Sequence, residues 1–204
     1  MTRHSRPILT PEEYLALERA AETKSEYLDG EMIPMPGAGL NHNRITVNIT
    51  VSLASQVHRQ PADRPCQVLA NDMRVLISAT GSYTYPDVIV VMGEPILADE
   101  NFDNLLNPAV LIEVLSPSTE RFDRGRKLVR YRTIPSLREV LLVSQDRPRI
   151  EHQCRREDGS GWDHSVAEGL TSEVELPCIG CRLTLADVYA RVRFDQKPSA
   201  TGGR

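Results

Sequence analysis

The sequence reads as an α/β protein with a mixed sheet, and three observations carry that reading. Residues 88–91 (Val-Ile-Val-Val) and 109–115 are almost continuously apolar, as strands covered on both faces must be. Ile45, Ile49, Leu53 and Val57 recur at helical spacing. After residue 149, short alternating runs are separated by Asp158-Gly159 and Glu168-Gly169, which reads as an antiparallel meander. A chain of 204 residues, 40% hydrophobic and 25% charged, can bury a core of its own, so a single domain over 1–194 is expected. Residues 195–204, which contain Lys, Pro, Ser and Gly, read as a disordered tail.

Taken in order, Thr10-Pro11-Glu12-Glu13 opens a helix running to about 22. Thr10 suits the N-cap, Pro11 the first helical position and Glu13 the capping box. Residues 26–35 alternate around Asp29-Gly30 and predict a hairpin. Pro34, Pro36, Gly37 and Gly39 then break the chain before a helix over 41–59, although β-branched Thr46, Val47, Thr50 and Val51 pull toward strand. Strands are expected over 66–70 and 73–78 on either side of Asn71-Asp72, where Asp72 fits an Asx turn. Gly81-Ser82 marks a turn, 87–92 a strand, 93–107 a polar loop and 109–115 a further strand. A helix over 122–132, a strand over 139–143, the meander strands 149–154, 162–166 and 173–176, and a short helix over 184–189 complete the chain.

Composition narrows the function classes. No apolar run approaches the roughly 20 residues that span a bilayer, and the first nine residues lack an apolar signal core, so a cytoplasmic protein with reduced thiols is expected. Of the four cysteines, Cys178 and Cys181 form a CxxC, but no second ligand pair stands at zinc-site spacing, and an incidental turn is the expected reading. The net charge of −4 gives no general basic face, so contact with nucleic acid must come from a local cluster. The one dense basic run is Arg121, Arg124, Arg126, Lys127, Arg130 and Arg132. It fits either phosphate contact or a solvated face paired with Glu120 and Asp123.

The chemistry concentrates in two acids. Asp87 heads one apolar run and Glu113 sits inside another, and an isolated buried carboxylate is costly unless a cation or several hydrogen bonds compensate it. On neighbouring strands the two would form a hard-oxygen site for magnesium, or manganese in its place. Such an ion orients a phosphate, offsets transition-state charge and activates water. Lys127, on the helix after the Glu113 strand, is placed to stabilise developing negative charge. Glu26 could add a carboxylate, or else pair Lys24 or Arg44 at the surface. His42 could contact phosphate or act as a base. Ser116, in Ser-Pro-Ser-Thr, could line the phosphate path and Arg124 could bind it. No histidine-acid relay makes that serine a nucleophile.

These residues carry a resemblance. Tyr85-Pro86-Asp87-Val88, Ile112-Glu113-Val114-Leu115-Ser116-Pro117-Ser118-Thr119, and Asp123-Arg124-Gly125-Arg126-Lys127 with Tyr131 resemble the Uma-two restriction endonuclease family of the PD-(D/E)xK nuclease superfamily. Glu26-Tyr27-Leu28-Asp29-Gly30-Glu31, His42 and Asn71-Asp72-Met73-Arg74-Val75 resemble it too, so the likeness spans roughly 10–190. It implies a restriction-endonuclease-like αβββαβ core, preceded by the N-terminal helix and hairpin and succeeded by the antiparallel meander. It also implies Asp87 and Glu113 as metal ligands and Lys127 as the basic catalytic residue. The superfamily's third motif would put lysine two residues after Glu113. That position is Leu115, so Lys127 would replace it from the next helix.

The function expected is a magnesium-dependent endonuclease hydrolysing phosphodiester bonds in DNA, for which a homodimer would suit paired cuts. The alternatives are a nucleic-acid-binding or protein-interaction module with weak or lost catalysis on the same fold, and a metal-assisted hydrolase of smaller phosphate esters.

Overall fold

The computed structural model describes residues 8–61 and 65–194, so the expected tail lies outside the described residues. In chain order the elements are α1 (Pro11–Ala20), β1 (Ser25–Leu28), β2 (Glu31–Pro34), α2 (Leu40–Val57), β3 (Cys66–Ala70), β4 (Arg74–Ile77), β5 (Ser82–Thr84), β6 (Val88–Met92), β7 (Asn104–Leu105) and β8 (Pro108–Leu115). A helical segment comes next in three parts: α3 (Glu120–Phe122), a π-helical turn (Asp123–Lys127) and α4 (Leu128–Tyr131). Then come β9 (Glu139–Ser144), β10 (Arg149–Arg155), β11 (Trp162–Glu168), β12 (Glu173–Leu176), β13 (Cys181–Thr184) and α5 (Leu185–Val188). Among the described residues no helix is long and apolar enough to cross a membrane.

The main sheet has six strands in the order β11-β10-β9-β8-β6-β3. Only β8 and β9 run parallel, and the helical segment 120–131 makes the crossover that a parallel pair requires. Period-two alternation divides the sheet's side chains between two cores. Val88, Val90, Val110, Ile112, Val114, Leu141 and Val143 pack on one face with α2 (Ile45, Ile49, Leu53) and the β12–β13 hairpin. Ile89, Val91, Leu111, Leu115, Val140 and Leu142 pack on the other with Leu128, Tyr131 and Ile134. The apolar runs that suggested doubly covered strands are therefore buried on both faces.

A second sheet, β2-β1-β5-β4-β7, stands beside the first. α1 docks on it through stacked Tyr14 and Tyr27, with ring centroids 5.0 Å apart, and the Tyr14 hydroxyl donates to the Ser25 carbonyl at 2.6 Å. The expected capping box is formed, with Glu13 N–H donating to Thr10 Oγ1 and Thr10 N–H to Glu13 Oε2. The hairpin turn has Asp29 and Gly30 at φ 54° and 82°, the left-handed pair that a two-residue turn needs.

Three expectations change in detail. Residues 66–70 and 74–77 are both strands, but β4 leaves the main sheet and pairs with β5 and β7, because Asn71 turns the chain through a left-handed φ of 53°. The turn expected at 81–82 is formed, with Gly81 at φ 63° and Ser82 opening β5, but the polar 93–107 loop contains β7. Of the three meander strands, β10 and β11 extend the main sheet, whereas β12 pairs only with β13.

An ion cluster fixes the second sheet to its connections. Arg74, almost fully buried, pairs with Asp103, and Arg19 reaches Asp99 at 2.6 Å and Asp103 at 2.9 Å. The Arg19 hydrogen bond, assisted by the Arg74 charge and opposed by partial burial, holds the Asp103 carboxyl below its ordinary value. A depressed carboxyl contributes stability above its unfolded pKa and loses it as pH falls through the folded value. Asp103→Asn should therefore cost about 1–3 kcal/mol at neutral pH, by leaving Arg74 uncompensated, and the deficit should shrink as pH drops below about 4. Urea denaturation of both proteins across that range checks it.

Candidate active site

A cleft of about 800 Å³ has walls that include Glu26, His42, Asp87, Glu113, Ser116, Asp123 and Lys127. Glu113 lies in mid-β8 on the face that carries Leu111 and Leu115. The antiparallel register pairs Val88 with Ile112, so Asp87, one residue earlier, falls opposite Glu113 on that same face. The two acids also meet through the backbone, since Val114 N–H donates to Asp87 Oδ2 at 2.7 Å. The other oxygen, Asp87 Oδ1, lies 3.3 Å from His42 Nε2 at the start of α2.

Lys127 closes the site from the helical segment. Its ammonium lies 2.7 Å from Glu26 Oε1, 2.9 Å from Glu113 Oε1 and 3.7 Å from Asp123 Oδ1, and all four side chains are nearly inaccessible to solvent. Glu26 is not the surface residue that pairing with Lys24 or Arg44 would make it. It sits in fully buried β1 and also accepts from Tyr85 N–H at 3.0 Å. The Tyr131 hydroxyl donates to Glu113 Oε1. Asp123 and Lys127 begin and end the π-helical turn, whose extra residue shifts all later positions by about 100° around the helix axis.

The electrostatics show an excess of negative charge. Burial pushes the Glu113 carboxyl well above its ordinary value. Lys127 opposes this, and Asp123, Asp87 and Glu26 add to it. Burial alone would depress the Lys127 ammonium, but Glu113 and Glu26 outweigh it and hold it well above the usual lysine value. Three carboxylates thus share one lysine, with the Asp87 charge close to Glu113, and such a site gains by taking up a further positive charge. The donors fit a hard divalent cation: carboxylate oxygens from Asp87 and Glu113, with Glu26 and Asp123 alongside and no thiol in the wall.

Other expected residues fall on either side of this boundary. Ser116 lines the cleft, with its hydroxyl bonded to those of Ser118 (2.9 Å) and Thr119 (3.0 Å). Arg124 does not line it. It turns away to Glu120 and Glu151. Arg126 and Arg130 are similarly occupied by Asp29 and Arg132 by Gln153, so most of the basic run, the exposed Arg121 apart, forms a paired helix face. Asp123, which did not stand out in the sequence as a site residue, lies four residues before Lys127, a spacing that could have marked it.

Removing the ammonium strands buried carboxylates. Lys127→Met should lower stability by about 3–5 kcal/mol without added metal. Millimolar magnesium should restore part of the loss, read as an upward shift in the melting temperature that is larger than in the wild type.

Comparison with known proteins agrees with the architecture. A curated relative, "Uncharacterized protein sll1609" from Synechocystis sp., is 40% identical over 82% of this chain and 92% of its own length. "Uncharacterized protein slr1290" from the same organism is 33% identical over 92% of this chain and 95% of its own. A crystal structure described as a "putative nuclease belonging to DUF820" from Anabaena variabilis superposes with a TM-score of 0.72 at 21% identity, covering 89% of this chain and 97% of that one, and shares its fold. The Uma2 family profile, described as "Putative restriction endonuclease", matches residues 11–186. The chain therefore belongs to the Uma2 family and has the restriction-endonuclease-like fold.

Proposed function

We propose that this protein is a divalent-metal-dependent endonuclease that hydrolyses phosphodiester bonds in DNA, with Asp87 and Glu113 as metal ligands. The observation that carries this reading is the cross-strand pair of acids in one cleft, where the Lys127 ammonium contacts three carboxylates, those of Glu26, Glu113 and Asp123. The family description supports the reaction class. Leu115 is buried in an apolar core and has no room for a charge, but Lys127 brings an ammonium to Glu113 from the next helix, so the site does not lack its base-bearing cation.

Magnesium, or manganese in its place, would supply a polarised phosphate and an activated water when bound. The chain's own residues do the rest. Asp87 is aimed by Val114 N–H, which fixes one oxygen and leaves the other toward His42. Lys127, locked by Glu26 and Glu113, offers fixed positive charge to the negative charge that develops on the phosphate. His42 and Ser116 line the wall of the cleft, where an imidazole and a hydroxyl can meet phosphate oxygens or accept a proton. With most of the basic helix face already paired and a net charge of −4, a cation held by Asp87 and Glu113 would supply much of the attraction for a polyanion.

Plasmid and single-stranded DNA incubated with the protein and magnesium should be cut, and excess chelator should stop the cutting. Asp87→Ala and Glu113→Ala should each reduce the rate at least about a hundredfold, while a gel-shift assay shows DNA still bound. Binding by the wild type without cutting, in magnesium and in manganese alike, would instead identify a binding module on this fold.

A further inference from the structure

The opposite face of the main sheet carries a second group of metal-ligating side chains. Glu139 begins β9 and lies opposite Cys154 of β10, while His152 sits two residues from Cys154 and so points the same way. One ligand atom from each of Glu139, His152 and Cys154 lies within 4.8 Å of the other two. The β8–β9 register aligns Glu139 with Val110, which packs on the α2 face, whereas Glu113 faces the other core. The sheet therefore separates this cluster from the acid cleft.

Three features distinguish it from ordinary side-chain packing. Glu139 is completely buried, which requires strong compensation for its charge. Its Oε2 lies 2.6 Å from His152 Nε2, and its Oε1 accepts from Cys178 N–H at 2.9 Å. That second contact brings the CxxC turn between β12 and β13 to the cluster, so Cys178, whose motif lacked a partner in sequence, has the Glu139 carboxylate and the Cys154 thiol as neighbours. Cys154 and Cys178 are free and partly exposed, which gives an ion a way in.

We propose that Glu139, His152 and Cys154, with Cys178 as fourth ligand, form a structural zinc site on the α2 face of the sheet. Mixed nitrogen, sulfur and oxygen donors suit zinc and exclude magnesium, and four protein ligands make a closed structural site rather than a catalytic one. Ligands about 2.0–2.3 Å from a tetrahedral ion stand about 3.3–3.8 Å from each other. The Glu139–His152 contact, at 2.6 Å, must therefore open by several tenths of an ångström to admit the ion. The ion would tie β9, β10 and the β12–β13 turn together, and with them the edge of the sheet that begins at β10.

The test uses the full chain, stripped with chelator and reduced, in excess magnesium. Zinc should raise the melting temperature, and cobalt in its place should give thiolate-to-cobalt charge-transfer absorption. Cys154→Ser and Cys178→Ser should each weaken cobalt binding at least about tenfold and reduce that absorption. Asp87→Asn, in the other cleft, should leave both readouts unchanged. No melting shift and no charge-transfer band in the wild type would overturn the site. So would a band that survives Cys154→Ser intact, or one lost with Asp87→Asn. A band unchanged by Cys178→Ser would remove that residue as fourth ligand.

Discussion

The structure depends on one buried ammonium. Lys127 is held between Glu26 of one sheet and Glu113 of the other, so the contact that balances charge in the cleft also links the two sheets, beside the apolar core that Val75, Ile77 and Leu105 share with the main sheet. Ion pairs at this depth give little net stability against an apolar alternative, because desolvation offsets most of the attraction. Their value is positional. Each carboxylate is fixed by a second hydrogen bond, Glu26 from Tyr85 N–H and Glu113 from the Tyr131 hydroxyl, so the charges cannot drift toward solvent. A preorganised polar wall of this kind is what charge-stabilising catalysis requires.

That arrangement explains how an ammonium reaches Glu113 although the strand itself carries leucine two residues later. Leu115 completes the apolar packing under the helical segment, and the ammonium arrives from that segment. The π-helical turn makes this placement geometrically possible. One extra residue between Asp123 and Lys127 rotates the later part of the helix, placing Lys127 and Tyr131 together over Glu113.

Much of this was legible in the sequence, for physical reasons that differ by element. Glu113 stood out because five apolar neighbours leave a carboxylate no solvent, and the capping box at Thr10 because side-chain chemistry and spacing are both local. The departure of β4 into the second sheet was not legible. A strand's periodicity says which side chains share a face and nothing about which neighbour it will hydrogen-bond. The burial of Glu26 was equally hidden, since its partner Lys127 lies far along the chain, beyond three of the six strands of the main sheet. Arg124 looked like a phosphate ligand because charge runs display their residues without their partners, and Glu151, which occupies it, lies on a distant strand.

The hairpin turn at Asp29-Gly30 carries a further consequence. Asp29 holds Arg126 and Arg130 on the outside of the segment whose inner side presents Lys127 to Glu26, on the strand leading into that same turn. A rod tied at one point can pivot, but tied at two it can only translate or break free. The local left-handed geometry of two small turn residues thus sets the aim of an ammonium on another element, and lengthening that loop by even a single residue would disturb the cleft without touching any group inside it.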